Sequence, residues 1–142
     1  MDPVMYLEFD SSLQVGHDQI DREHQVLASL INTFLDKLAS RRDKDQLDRC
    51  YQDIYDYTAL HFAHEEQIMR DCAYDDLALH ESRHHKLLGE LQERSRFILG
   101  GSVEELEGTV SFIYDWFAFH IKTSDARLAA ALKLISPAPV TK

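Results

Sequence analysis

Residues 47–68 read LDRCYQDIYDYTALHFAHEEQI, and this stretch decides the fold. Leu47, Tyr51, Ile54, Thr58, His61, Glu65 and Ile68 recur at steps of four and three, the spacing that lays one stripe along an α-helix. The stripe starts apolar and then carries a histidine and a glutamate. A stripe that only packed against neighbours would stay apolar, because a buried polar group without partners is costly.

The same pattern recurs on both sides. Upstream, Ile20, His24, Leu27, Ile31, Phe34 and Leu38 form one face, with Asp18 or Asp21 suited to the first turn and Arg41 and Arg42 to the end. Downstream, Leu77, His80, His84, Leu87, Leu91 and Ile98 form a third stripe. Gly100-Gly101 ends it, and Ser102 with Glu105 makes a capping box for a fourth helix. That helix carries Val103, Leu106, Val110, Ile113, Phe117 and His120. A short tail helix is expected over about 124–134. Short loops make sequential helices antiparallel. The expectation is an all-α protein, an antiparallel up-down-up-down four-helix bundle with an extended N-terminal arm and a short C-terminal helix. It is expected to be a single domain over 1–142, with the arm at 1–16, bundle and tail helix at 17–134 and a flexible end at 135–142.

Composition narrows the function. A chain of 142 residues is one domain's worth, and five Gly and three Pro give too little punctuation for many short strands. The net charge of −10 repels phosphate backbones and anionic lipid, so nucleic acid and membrane surfaces are poor partners. No apolar run is long enough to span a membrane. The first residues carry neither the basic segment nor the apolar run of a secretory leader. Cys50 and Cys72 lack metal or redox spacing and read as two partly buried thiols. A cytoplasmic protein is expected. Eight histidines stand out.

Those histidines carry the chemistry. His24, His61 with Glu65, His80 with His84, and His120 all interrupt inner stripes. Six unpartnered polar groups in one core would consume a typical folding free energy of about 5–15 kcal/mol. His61/Glu65 and His80/His84 are i, i+4 pairs, which point the same way from a helix. His24 and His80 lie early in their helices, His61 and His120 late, so alternating direction brings all four helices' histidines to one end of the bundle. Asp125, five residues after His120 and just past the fourth helix, reaches the same place if the chain bends there. Five imidazoles and two carboxylates exceed the four ligands of one zinc. Calcium and magnesium prefer oxygen throughout. The set suits iron, manganese or another first-row metal, with two ions in the site.

These residues resemble the hemerythrin family, specifically its single-domain bacterial members. The matching segments are Asp21-Arg22-Glu23-His24, His61-Phe62-Ala63-His64-Glu65-Glu66-Gln67-Ile68-Met69, His80-x-x-x-His84, and Trp116-x-x-x-His120-Ile121-x-x-x-Asp125. The resemblance implies a non-haem di-iron centre. His80, His84 and His120 would bind one iron. His24 and His61 would bind the other, which keeps an open position for dioxygen. Glu65 and Asp125 would bridge the pair together with a solvent-derived oxo or hydroxo group. The implied function is reversible dioxygen binding for storage, delivery or sensing. The alternatives are a di-iron enzyme (ferroxidase, peroxidase or nitric oxide-consuming) and an iron buffer. A histidine-rich, charge-poor ligand set favours reversible release over attack on a substrate.

Ile20, Leu27, Phe62, Trp116 and Phe117 are candidate walls of an oxygen pocket, and each also serves as bundle core. His17, seven residues before His24, sits about 10.5 Å along a helix, too far to bind the same iron. It is a candidate for an access or proton route, or else a cap or a surface histidine. His64 and His85 sit beside ligands and point off the stripe, toward the surface or a neighbouring helix. Phe9 stands where the family often has Trp.

Overall fold

Leu27, Ile31 and Phe34 on the first helix and Tyr51 and Ile54 on the second are at most 2% exposed, so the apolar stripes meet as their spacing requires. The computed structural model describes residues 13–39, 44–96, 98 and 103–135. The expected arm up to Ser12, with Phe9, lies outside these residues, as do the Gly100-Gly101 stop, the Ser102 cap and residues 136–142. Helix α1 spans Asp18–Ala39, α2 Lys44–Asp71, α3 Leu77–Arg94 and α4 Val103–His120. Each packs on the next in the expected antiparallel up-down-up-down bundle. No helix among the described residues is long and apolar enough to cross a membrane. Cys50 and Cys72 are half-buried free thiols, as expected.

The end of the fourth helix differs from the sequence reading. The chain does not leave the helix after His120. The chain runs on through a π-helical turn, Ile121–Asp125, into α5, Ala126–Ile135. In an α-helix, five residues would leave Asp125 about 140° round the axis from His120. The Ala126 N–H instead reaches the Ile121 carbonyl, an i→i+5 bond that brings residues five apart onto one face. The Thr123 hydroxyl donates to the Phe119 carbonyl at 2.7 Å, a back-bond of the kind that bends helices. Arg83 Nη1 donates to Ser124 Oγ at 2.9 Å and ties the turn to α3.

The core is divided. One apolar cluster runs from Leu13 and Leu27 through Phe62 and Leu91 to Phe117 and Ile121. A smaller one joins Ile20, Met69 and Leu128. Along the chain His24, Glu65, His80, His84 and Asp125 each fall between residues of the two clusters, so apolar side chains lie on both sides of the polar layer.

Away from that layer, α3 needs help at its end. The Ser95 N–H turns to the Gln92 carbonyl instead of continuing the ladder to Leu91. The Tyr51 hydroxyl donates to the Leu91 carbonyl at 2.6 Å, and burial pushes its pKa above the usual phenol value. Tyr51→Phe is expected to lower stability by about 1–3 kcal/mol, the cost of a buried acceptor left unpaired, with no change in metal content. Urea unfolding with metal analysis checks this.

Candidate metal centre

Four helices and one turn deliver seven side chains to the polar layer. His24 comes from α1, His61 and Glu65 from α2, His80 and His84 from α3, His120 from the end of α4 and Asp125 from the π-helical turn. All are at most 7% exposed. The helical spacing explains the placement: each i, i+4 pair on α2 and α3 presents both side chains to the bundle axis.

The two carboxylates lie at the centre and the imidazoles surround them. Glu65 Oε1 is 2.9 Å from His80 Nε2 and 3.1 Å from His84 Nε2. Glu65 Oε2 is 3.0 Å from His61 Nε2 and 4.0 Å from His24 Nε2. Asp125 Oδ1 is 3.2 Å from His80 Nε2 and 3.1 Å from His120 Nε2, while Oδ2 is 2.9 Å from His24 Nε2. Each carboxylate therefore turns one oxygen to two members of the imidazole triple His80, His84 and His120, and the other to the pair His24 and His61, of which Asp125 meets His24 alone. The rings group the same way, with centroids of His24 and His61 4.7 Å apart and those of His80, His84 and His120 separated by 4.6–5.3 Å. Two overlapping donor groups result, Glu65/His80/His84/His120/Asp125 and His24/His61/Glu65/Asp125, each with its ligand atoms within 4.8 Å of one another.

Protons are held tightly in this cluster. Burial and the neighbouring Asp125 act to raise the Glu65 pKa, yet the approach of His61, His80 and His84 brings it down to about 2. Burial acts the same way on Asp125, and His120, His24 and His80 hold it well below the usual carboxylate range. Burial opposes charge on His61 and His80. Glu23 and Glu65 outweigh it at His61, raising its pKa to about 10, and Asp125 and Glu65 raise His80 to about 9. The donor set is thus charged and short of neutral partners. His61 Nε2, His120 Nε2, Glu65 Oε2 and Asp125 Oδ2 are fully buried and make no well-formed hydrogen bond. Buried polar atoms in that state suit cations placed among them.

Two carboxylates that the sequence reading quoted without a role stand behind the imidazoles. His61 Nδ1 donates to Glu23 Oε1 at 2.6 Å, and His84 Nδ1 donates to Glu66 Oε2 at 2.8 Å. These contacts fix the rings with Nε2 facing inward. The available signal was adjacency, since Glu23 precedes His24 and Glu66 follows Glu65.

The remaining sequence candidates separate. Leu27, Phe62, Trp116 and Phe117 line a cavity of about 10 Å³, together with His24, His61, His120, Asp125 and Ile121. Ile121 was missed by the sequence reading. Ile20 does not line the cavity and packs with Met69 and Leu128. Phe62 also stacks flat on His84, with ring centroids 3.7 Å apart. His17 immediately precedes α1, and its Nδ1 accepts from the Ile20 N–H at 3.3 Å, the position of a helix cap. Asp21 accepts from the Val15 and Gly16 N–H groups at 2.8 and 3.1 Å and holds the segment entering α1. His64 donates across to Glu23 on α1, so of the two readings it takes the interhelical one. His85 is exposed.

The comparisons agree with this architecture. The family model for the hemerythrin HHE cation binding domain matches residues 15–132. A bacteriohemerythrin of Methylococcus capsulatus is 28% identical over 118 residues, covering 83% of this chain and 86% of its own. One of Pseudomonas paraeruginosa is 29% identical over 132 residues, covering 92% and 84%. Myohemerythrin-1 of Phascolopsis gouldii is 29% identical over 126 residues, covering 87% and 92%. With the family model spanning all four helices and a buried His/Glu/Asp cluster at their common level, the chain belongs to the hemerythrin family.

Proposed function

We propose that this chain binds dioxygen reversibly at a pair of irons, as a single-domain storage, delivery or sensing protein. The observation that carries the reading is the division of each central carboxylate between an imidazole triple and an imidazole pair. His80, His84 and His120 would hold one ion and His24 and His61 the other, with Glu65 and Asp125 available to both. When bound, the iron pair would supply two electrons to dioxygen on uptake and take both back on release.

The residues do the rest. Neutral imidazoles and only two carboxylates leave the site short of negative charge, which disfavours the high oxidation states needed to attack a substrate. The cavity touches both imidazoles of the pair and has room for about one water-sized molecule. Leu27, Phe62, Trp116, Phe117 and Ile121 wall it with apolar or aromatic surface, so a small gas enters more readily than an anion or an organic substrate. The same walls keep bulk water, and with it a proton supply, away from the pair.

Anaerobically reduced protein, exposed to oxygen and then returned to inert gas, is expected to recover its starting spectrum over repeated cycles. One-way oxidation with turnover on added peroxide or nitric oxide would replace the carrier reading with an enzyme. His24→Ala and His61→Ala are each expected to abolish the oxygen-dependent absorption change while most helix content survives in circular dichroism. Parent-like oxygen binding in both variants would refute the assignment of the pair.

A further inference from the structure

Glu23 is divided between two imidazoles. Its Oε1 accepts from His61 Nδ1 and its Oε2 from His64 Nδ1, each at 2.6 Å, and Gln19 Nε2 adds a longer donation to Oε2 at 3.3 Å. Glu66, by contrast, faces the single imidazole of His84. The two rings on Glu23 are unlike. His61 is buried against Glu65, whereas the His64 side chain is 42% exposed. One carboxylate thus joins an inner-site imidazole to a half-exposed one, across the α1–α2 contact.

An imidazole that donates its Nδ1–H to a carboxylate becomes a stronger electron donor at Nε2. The strength of that effect depends on how much charge the facing oxygen keeps, and a second donor on the other oxygen draws charge away. We propose that His64 is a positioning residue for the His24–His61 half of the centre: by holding Glu23 Oε2 it fixes the angle of the carboxylate and limits the charge lent to His61, and so sets the reduction potential of an ion bound there. This rests on the metal-binding reading above. Glu23 is the lever and His64 the restraint on it.

The two residues therefore act in opposite directions. His64→Ala concentrates charge on Oε1, strengthens His61 as a donor, favours the oxidised state and lowers the potential. Glu23→Gln removes the charge and raises the potential. It also weakens metal binding by about 10–100-fold, the usual effect of losing such a partner, while His64→Ala changes affinity by less than about tenfold. His64→Asn keeps an N–H donor near the Nδ1 position and is expected to return the parent potential.

Two measurements test this. Spectroelectrochemistry of the iron-loaded protein reads the potential. Proton–nitrogen NMR of the metal-free protein reads the His61 Nδ1 proton, expected downfield in His64→Ala and upfield in Glu23→Gln. Shifts of the same sign in both variants would mean a loosened anchor and would overturn the proposal. So would a His64→Ala protein identical to the parent in both readouts, or failure of His64→Asn to restore it. If the chain takes up no metal, the function proposed above falls, while the His61 proton still decides whether Glu23 is shared in this way.

Discussion

If the centre holds two ions as proposed, Glu65→Ala is expected to lower the metal content toward one ion per chain, a larger effect than losing any single histidine. Glu65 belongs to both donor groups. Its Oε1 faces His80 and His84, and its Oε2 faces His61. Without it the pair keeps only His24, His61 and Asp125, a minimal two-histidine, one-carboxylate set with one negative charge fewer, so it holds its ion more weakly than His80, His84, His120 and Asp125 hold theirs. A histidine variant touches one group and leaves the other whole.

The same substitution removes a counter-charge from buried imidazoles. His61 and His80 both owe their raised pKa values in part to Glu65. Breaking a buried pair by deleting one partner costs about 3–5 kcal/mol. Metal-free Glu65→Ala is therefore expected to unfold at clearly lower urea than the metal-free parent. His85→Ala, on an exposed residue, is the control that should match the parent in both measurements. Elemental analysis and urea titration decide the matter together. A Glu65→Ala protein that still carried two ions would mean the carboxylate does not span the halves.

Much of this site was legible because helical spacing is rigid. The steps of four and three in residues 47–68 fix which side chains face inward, and alternating helix direction fixes their height. Asp125 was legible as a partner but not in its manner of arrival. The choice between an i+4 and an i+5 backbone bond leaves no periodic mark in Ile121–Asp125. The π-helical turn places the Asp125 carboxylate against His120 five residues back and against His24 and His80, and Arg83 holds the neighbouring Ser124; all but the His120 contact are distant in sequence. Glu23 and Glu66 were hidden for another reason. Each lies one position off an inner stripe, about 100° round the helix, so its reach to an imidazole depends on rotamer and helix separation. Ile20 shares a stripe with Leu27, yet bundle height puts them in different apolar clusters. Periodicity gives the face of a helix and says little about the level of a cavity.

Loading the metal-free protein is expected to raise its melting temperature substantially and to release protons. A ligand present at a thousand times its dissociation constant stabilises by about 4 kcal/mol, and two such ions would give roughly 15–30 °C in a domain of this size. In the metal-free fold His61 titrates at about 10 and His80 at about 9, so each carries a proton at neutral pH. Both must become neutral to ligate an ion, so loading at pH 7 should release protons, one from His61 and one from His80 among them. Calorimetry in buffers of different ionisation enthalpy counts them.

The pH dependence has a definite sign. His61 and His80 titrate above their unfolded value of about 6.5, so the stability they give the metal-free protein is complete below that pH and disappears as pH rises toward 9–10. Glu65, held at about 2, contributes stability that is present above its unfolded value and lost as pH falls toward 2. The metal-free protein should therefore be most stable between about pH 4.5 and 6.5. Ions compete with fewer protons as pH rises. The gap in melting temperature between loaded and metal-free protein is then expected to widen steadily from pH 6.5 to 9. A gap that stayed constant or narrowed over that range, or heats independent of buffer, would mean that the ions do not replace protons on these imidazoles.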